Sequence, residues 1–303
     1  MRTTLIYNPT AGDEQHTAEQ LVEQLGEAGY EARLVKDRKK LARRLEDPGE
    51  LVVAAGGDGS VKAVALALAG RGVPMAILPM GTANNIAKSL GIMGSVTDLI
   101  AGWRGAQRRA IRVGHVKGRW GAMRFVESAG VGLFADLVTR GQEEVDENAA
   151  GLTGHAIDRA LLLLRQITEE ETPKLRQVKL DDRDLSGEYL AVEAMNIPLV
   201  GPNVPLARGA DFSDELLDLV LVTERERGAL QEYLRARIGG AAAPLELPVH
   251  RGRRVVLRAW PSEMHVDDDA WAPAPHSDGS TGDDSEGDVS MELGAEGVEV
   301  LVP

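Results

Sequence analysis

Three short stretches of this sequence have the residue types of a phosphate-binding turn: Asn8-Pro9-Thr10-Ala11-Gly12, Gly56-Gly57-Asp58-Gly59-Ser60 and Gly81-Thr82-Ala83-Asn84. A turn with little side chain lets backbone N–H groups point at a polyanion, and a helix that follows it adds its positive end. One such turn is ordinary loop chemistry; three in one chain point to a phosphate cradle. Asp58 narrows the ligand, because a carboxylate among phosphate-facing amides repels phosphate unless a divalent cation lies between them. A magnesium nucleotide satisfies that condition; the alternative is an Asp that caps the next helix. Thr82 can donate to a phosphate, and Asn84 and Asn85 can tie neighbouring loops together or face the nucleotide. The P-loop pattern Gly-x-x-x-x-Gly-Lys-Ser/Thr and the Rossmann pattern Gly-x-Gly-x-x-Gly are both absent, which excludes those two solutions. A separate acidic run, Asp267-Asp268-Asp269, reads by itself as a solvated turn.

The elements that must hold these turns follow from the patterning. Thr3–Tyr7, Glu31–Val35, Leu51–Ala55 and Met75–Leu78 read as strands, alternating with helices near Glu14–Ala28, around Lys39–Leu45 and, after the break at Gly56–Ser60, through Ala69. That alternation predicts a parallel sheet covered on both faces, with its ligand crevice at the strand ends where the turns lie. After about Ser128 the pattern changes: a helix over Leu152–Ile167 is followed by strands at Val178–Leu180, Leu190–Ile197, Leu216–Val222 and Arg254–Arg258. The expected fold is α/β plus mainly β: a parallel nucleotide-binding domain over 1–128, then an antiparallel β-rich domain over 129–271, with the active site in the cleft between them. Residues 272–290 read as a disordered acidic loop, and 291–303 as a strand returning to a sheet.

At 303 residues, 43% of them hydrophobic, the chain is long enough for two domains with real cores. There is no cysteine, hence no disulfide, thiolate metal site or cysteine nucleophile. The formal charge of −13 is unevenly spread: twelve acidic residues and no Lys or Arg follow Ala259, so Met1–Arg258 carries only −1. With 4% aromatics and no strong basic cluster, nucleic acid is not an expected partner. No stretch is long and apolar enough to span a membrane, and the opening Met-Arg-Thr-Thr-Leu-Ile lacks a signal-peptide core. The expectation is a cytoplasmic protein with at most peripheral membrane contact; the oligomeric state stays open, a homodimer included.

Taken in order, Asn-Pro-Thr-Ala-Gly, Gly-Gly-Asp-Gly-Ser and Leu-Pro-Met-Gly-Thr-Ala-Asn-Asn-Ile-Ala-Lys-Ser-Leu-Gly-Ile resemble the diacylglycerol kinase catalytic domain shared by bacterial lipid kinases and sphingosine kinases. The resemblance covers about Met1–Phe134 and continues more weakly through Ala194-Met195-Asn196, Val204-Pro205-Leu206-Ala207 and Asp214-Glu215-Leu216-Leu217-Asp218. It implies that Asn8, Pro9, Thr10, Ala11 and Gly12, then Gly56, Gly57, Asp58, Gly59, Ser60 and Lys62, then Gly81, Thr82 and Asn84 hold ATP. Asp58 would organise phosphates and Mg²⁺. It further implies a structural Mg²⁺ held by Asp214 with backbone oxygens of Asp211 and Leu216, although Glu215 stands where the family has Gly; oxygen-only ligation suits a hard cation. Val266-Asp267-Asp268-Asp269 is similar to the family's Asp-Gly-Glu, which makes Asp269 the base that takes the lipid hydroxyl proton. Other departures are Arg112, where the family often has Asp, and Lys36-Asp37, where it has a Thr near the end of the second strand.

The implied function is transfer of the ATP γ-phosphoryl to a diacylglycerol-like or other long-chain lipid alcohol at a membrane surface. Leu161–Leu164 would be a candidate wall for the acyl chains. Gly-Gly-Asp-Gly also occurs in NAD kinases and phosphofructokinases, so a soluble substrate is one alternative; a catalytically inactive nucleotide or lipid sensor is the other.

Overall fold

The computed structural model describes residues 1–9, 16–36, 41–147, 156–271 and 285–303. Thr10, Ala11, Gly12, Asp37 and the acidic stretch 272–284 therefore lie outside the described residues. The chain folds as two compact units, Met1–Val113 with Ala295–Pro303, and Gly114–Gly294. The division falls ahead of the 128/129 boundary expected from the change in patterning.

In the first unit the order is β1 (Arg2–Tyr7), α1 (Ala18–Glu27), β2 (Glu31–Val35), α2 (Leu41–Arg44), β3 (Leu51–Gly56), α3 (Asp58–Leu68), β4 (Met75–Pro79), α4 (Asn85–Ser89), α5 (Val96–Gly102) and the start of β5 (Gln107–Gly118). The strands form a parallel sheet in the order β2-β1-β3-β4. Every residue of β3, Leu-Val-Val-Ala-Ala-Gly, is buried, as a strand between two neighbours with helices on both faces requires. α1 starts at a capping box in which the Gln20 N–H bonds Thr17 Oγ1 (3.2 Å) and the Thr17 N–H bonds Gln20 Oε1 (2.8 Å). It buries Ala18, Leu21 and Leu25, one face of the helix.

The second unit continues from β5 through β6 (Gly121–Phe125), β7 (Ser128–Gly132), α6 (Leu133–Glu147), α7 (Ala156–Glu170), the short strands β8 (Lys174–Arg176), β9 (Val178–Leu180), β10 (Arg183–Asp184) and β11 (Gly187–Tyr189), and β12 (Ala191–Met195). β13 (Leu217–Val222), α8 (Glu224–Ile238), β14 (Val249–Gly252), β15 (Arg254–Ala259), β16 (Met264–Val266), β17 (Asp269–Ala270) and β18 (Gly287–Val302) follow. The main sheet is antiparallel, in the order β14-β13-β12-β7-β16-β17. Alternate residues along β12 feed two cores: Ala191 and Met195 pack with leucines of α7 and α8, and Val192 and Ala194 pack with Val255 and Leu257 of β15 and Val289 and Met291 of β18. This alternation is the period-two signature of a strand with both faces covered.

Two expectations need correction. Gly287–Ser290, read as loop because of its acidic composition, is strand: Ser290 pairs Val256 and Val289 pairs Leu257 across β15. The region after Ile197 contains α8 as well as strands. Its signal lay in Thr223-Glu224-Arg225-Glu226, a capping box, followed by Leu230, Tyr233 and Leu234 on one buried face. Of the leucines considered as a lipid wall, Leu161, Leu163 and Leu164 belong to the helix-side core, and Leu162 is exposed.

Candidate functional site

β1, β3 and β4 are adjacent and parallel, so the turns that follow them leave the same edge of the sheet. The Asn8 N–H donates to the Ala55 carbonyl (3.1 Å), and the Met80 N–H donates to the Gly56 carbonyl (3.0 Å). The second and third turns meet backbone to backbone: a Cβ on Gly81 would lie 2.3 Å from Gly57 Cα. A Cβ on Gly56 would lie 2.6 Å from Ser60 Oγ and 3.4 Å from Asn8 Cβ. These glycines are required because a larger residue leaves no room for the second and third turns to meet beside Asn8.

Asp58 is the first residue of α3 and ties the cradle across sequence. Its Oδ1 accepts the Ile86 N–H (3.0 Å), so the carboxylate caps α4, after the third turn. The third turn is closed by Asn84, left-handed at φ 52°, whose Oδ1 accepts the Gly81 N–H (2.9 Å) and whose Nδ2 donates to the Gly81 carbonyl (2.6 Å). Asn84 thus shapes its own loop. Asn85 and Ser60 are buried, Thr82 and Pro9 are exposed, and Asn8, Gly57, Gly59, Lys62 and Gly81 are half-buried. Lys36 pairs with Glu19 on the surface (2.9 Å). The oxygen donor of Asp58, at the N-terminus of an eleven-residue helix, fits a hard cation bound with phosphates.

In the second unit the acidic run divides into two roles. Asp267 is buried with φ 54°, and its carboxylate accepts the N–H groups of Val126 (3.1 Å), Glu127 (2.7 Å) and Ser128 (3.2 Å). Asp268 and Asp269 are exposed, and Asp269 stands opposite Val266 in the β16–β17 pair. The run is therefore an anchored turn that presents its last two carboxylates outward.

The Asp211–Asp218 turn is held by its own hydrogen bonds and by Arg251. Asp211 Oδ1 accepts from Ser213 N–H (3.0 Å) and Oγ (2.6 Å), and Asp214 Oδ1 accepts the Leu216 N–H (2.7 Å). The Arg251 guanidinium pairs with Asp214 Oδ2 and lies 3.4 Å from Asp218 Oδ1, supplying the positive charge at this turn. Burial, with the Asp214 and Asp211 charges, pushes the Asp218 carboxyl up to about 6 against the opposing pull of Arg251. Among the described residues no group of three or more His, Cys, Asp or Glu side chains could hold a metal. At the Asp214, Asp211 and Leu216 site expected from the resemblance, the Arg251 guanidinium pairs with the Asp214 carboxylate.

A parallel α/β unit with glycine-rich turns gathered at one edge, followed by an antiparallel β-rich unit with an anchored acidic turn, defines the class of fold. The sequence profile of the diacylglycerol kinase catalytic domain matches residues 2–116, and this segment belongs to that family. A diacylglycerol kinase of Bacillus subtilis is 26% identical over 253 residues, covering 77% of each chain. An uncharacterized Synechocystis protein is 25% identical over 242 residues; the chain spans about half of it, 53%. A solved diacylglycerol kinase structure from Bacillus anthracis superposes with a TM-score of 0.67 over 100% of this chain and 97% of that one, at 17% identity. That last likeness is one of fold.

Proposed function

We propose that the chain is an ATP-dependent lipid kinase that phosphorylates the hydroxyl of a diacylglycerol-like or other long-chain lipid alcohol presented at a membrane surface. The observation that carries this reading is the meeting of the strand-end turns, with Asp58 bonded to the helix after the third turn. Phosphoryl transfer asks mainly for positioning and charge neutralisation. Backbone amides of the turns hold the phosphates. Asp58 would hold Mg²⁺, which supplies neutralising charge when bound. Asp269 accepts the proton of the lipid hydroxyl as its oxygen bonds to the γ-phosphorus and the bond to the ADP oxygen breaks. The name of the Bacillus subtilis relative supports the lipid acceptor, and among the described residues no helix is long and apolar enough to cross a membrane.

The test is phosphate transfer from labelled ATP to micelle-dispersed lipid alcohols, with NAD and fructose 6-phosphate alongside. Wild type is compared with Asp58→Asn, which keeps an acceptor for the Ile86 N–H, and with Asp269→Ala. A labelled lipid lost in both variants supports the kinase. Label on NAD or the sugar phosphate moves the chain to a soluble substrate, and ATP binding without any transfer makes it a sensor.

A further inference from the structure

Glu193 and His265 are 0% and 1% exposed, and neither has a part in the proposed chemistry. They sit on β12 and β16, which are separated by β7, and the register places Gly130 opposite both of them. Strands two apart are roughly 9.6 Å apart, so their side chains meet only if the residue between them has none. Gly130 meets that condition: a Cβ there would lie 2.5 Å from Glu193 Cδ and Oε2. Over this glycine His265 Nε2 lies 3.0 and 3.1 Å from the two Glu193 oxygens, and Nδ1 lies 2.8 Å from the Asp267 carbonyl oxygen.

The partners dictate the protonation. A carbonyl only accepts, so Nδ1 carries a hydrogen; Nε2 and the Glu193 carboxylate then share one further proton, because without it a ring lone pair would face a carboxylate. That proton completes a chain from β12 through the ring to the Asp267 backbone. From there the Asp267 N–H donates to the Ser128 carbonyl (2.8 Å) and its carboxylate is held by three amides. Two residues further on is Asp269.

We propose that Glu193 and His265 are a positioning pair that fixes the Asp267 backbone and thereby sets Asp269 for its work as base. The proposal rests on the kinase reading and deepens it. Burial disfavours the charged ring, yet Glu193 and Asp267 together hold His265 above its ordinary value. The intervening β7, Ser-Ala-Gly-Val-Gly, carries no titratable group. On α6, Asp136 interacts instead with Glu171, Lys174 and Arg140.

Kinetics of the full chain with its lipid acceptor, and ¹⁵N imidazole spectra of the same protein, test it. His265→Ala should lower kcat about 10–100-fold, as for a misplaced reacting group, with KM for ATP within about twofold. Glu193→Gln should lower kcat less than His265→Ala, because a neutral ring can still donate to the Asp267 carbonyl and accept from the Gln amide, whereas Glu193→Ala should show the larger loss. If His265→Ala does not fold, Glu193→Gln/His265→Phe, uncharged at both places and with no donor for the Asp267 carbonyl, should show the same loss. In wild type the His265 ring should titrate above its ordinary value. Wild-type kcat in the folded His265 variants, or titration of His265 near 6.5, overturns the pair alone. An inactive wild type overturns the kinase reading and the pair's role with it.

Discussion

Gly81→Ala tests whether the strand-end turns form one structure. The new Cβ would stand 2.3 Å from Gly57 Cα, 3.1 Å from Gly57 N and 3.0 Å from Asn84 Oδ1, where ordinary contact begins at 3.4 Å. Neither backbone neighbour can rotate away as a side chain could, so the second and third turns must part by about 1 Å, near the scale at which overpacking costs about 1–3 kcal/mol. Each kcal/mol corresponds to about 2–4 °C in Tm for a protein somewhat smaller than this one. Separation of the turns also lengthens the Asp58–Ile86 bond and misaligns the amides, so Mg-ATP affinity should fall at least tenfold, about 1.4 kcal/mol. Thermal melting and calorimetric titration with Mg-ATP measure both. Gly26→Ala is the control: it lies in α1 with nothing within 4 Å of its added Cβ, and should raise stability by about 0.5–1 kcal/mol. A Gly81→Ala protein that melts and binds nucleotide like wild type would refute the reasoning.

Three further outcomes are expected. Asp58→Ala should lose about 1 kcal/mol of stability with the cap on α4, while Asp58→Asn should keep most of that stability and still lose Mg-ATP affinity; chemical denaturation beside binding separates the two. Between its ordinary value of 6.5 and its raised folded value, His265 binds more protons folded than unfolded. Its contribution is whole below pH 6.5 and falls by about 1.4 kcal/mol per pH unit up to the folded value, a slope that should vanish in Glu193→Gln denaturation curves. Because Arg251 is the cation at the Asp211–Asp218 turn, EDTA should leave the Tm of nucleotide-free protein unchanged; a drop of several degrees would return a metal to that turn.

Much of the first unit could be read from near neighbours in the chain. Alternating apolar strands and one-faced helices demanded a parallel sheet, and glycine-rich turns after β1, β3 and β4 marked the edge of the candidate site, because backbone propensity and burial pattern act over a few residues. The sequence also showed Asp58 to be out of place among amides. It did not show what holds that carboxylate, since Ile86 is brought to it only by the packing of one turn on the next.

In the second unit composition misled at Gly287–Ser290, where acidic residues are strand because β15 pairs with them, and a helix stood among expected strands. The three aspartates at 267–269 looked alike in sequence; burial against the amides of 126–128 made the first an anchor and left the last exposed. The Glu in the apolar run Leu-Ala-Val-Glu-Ala-Met is buried against His265. That pairing depended on strand register, which sets Glu193, Gly130 and His265 in one row, and register is fixed by contacts between strands far apart in the chain. Local pattern therefore determined the elements and the turns, whereas the pairing of distant strands decided which side chains meet.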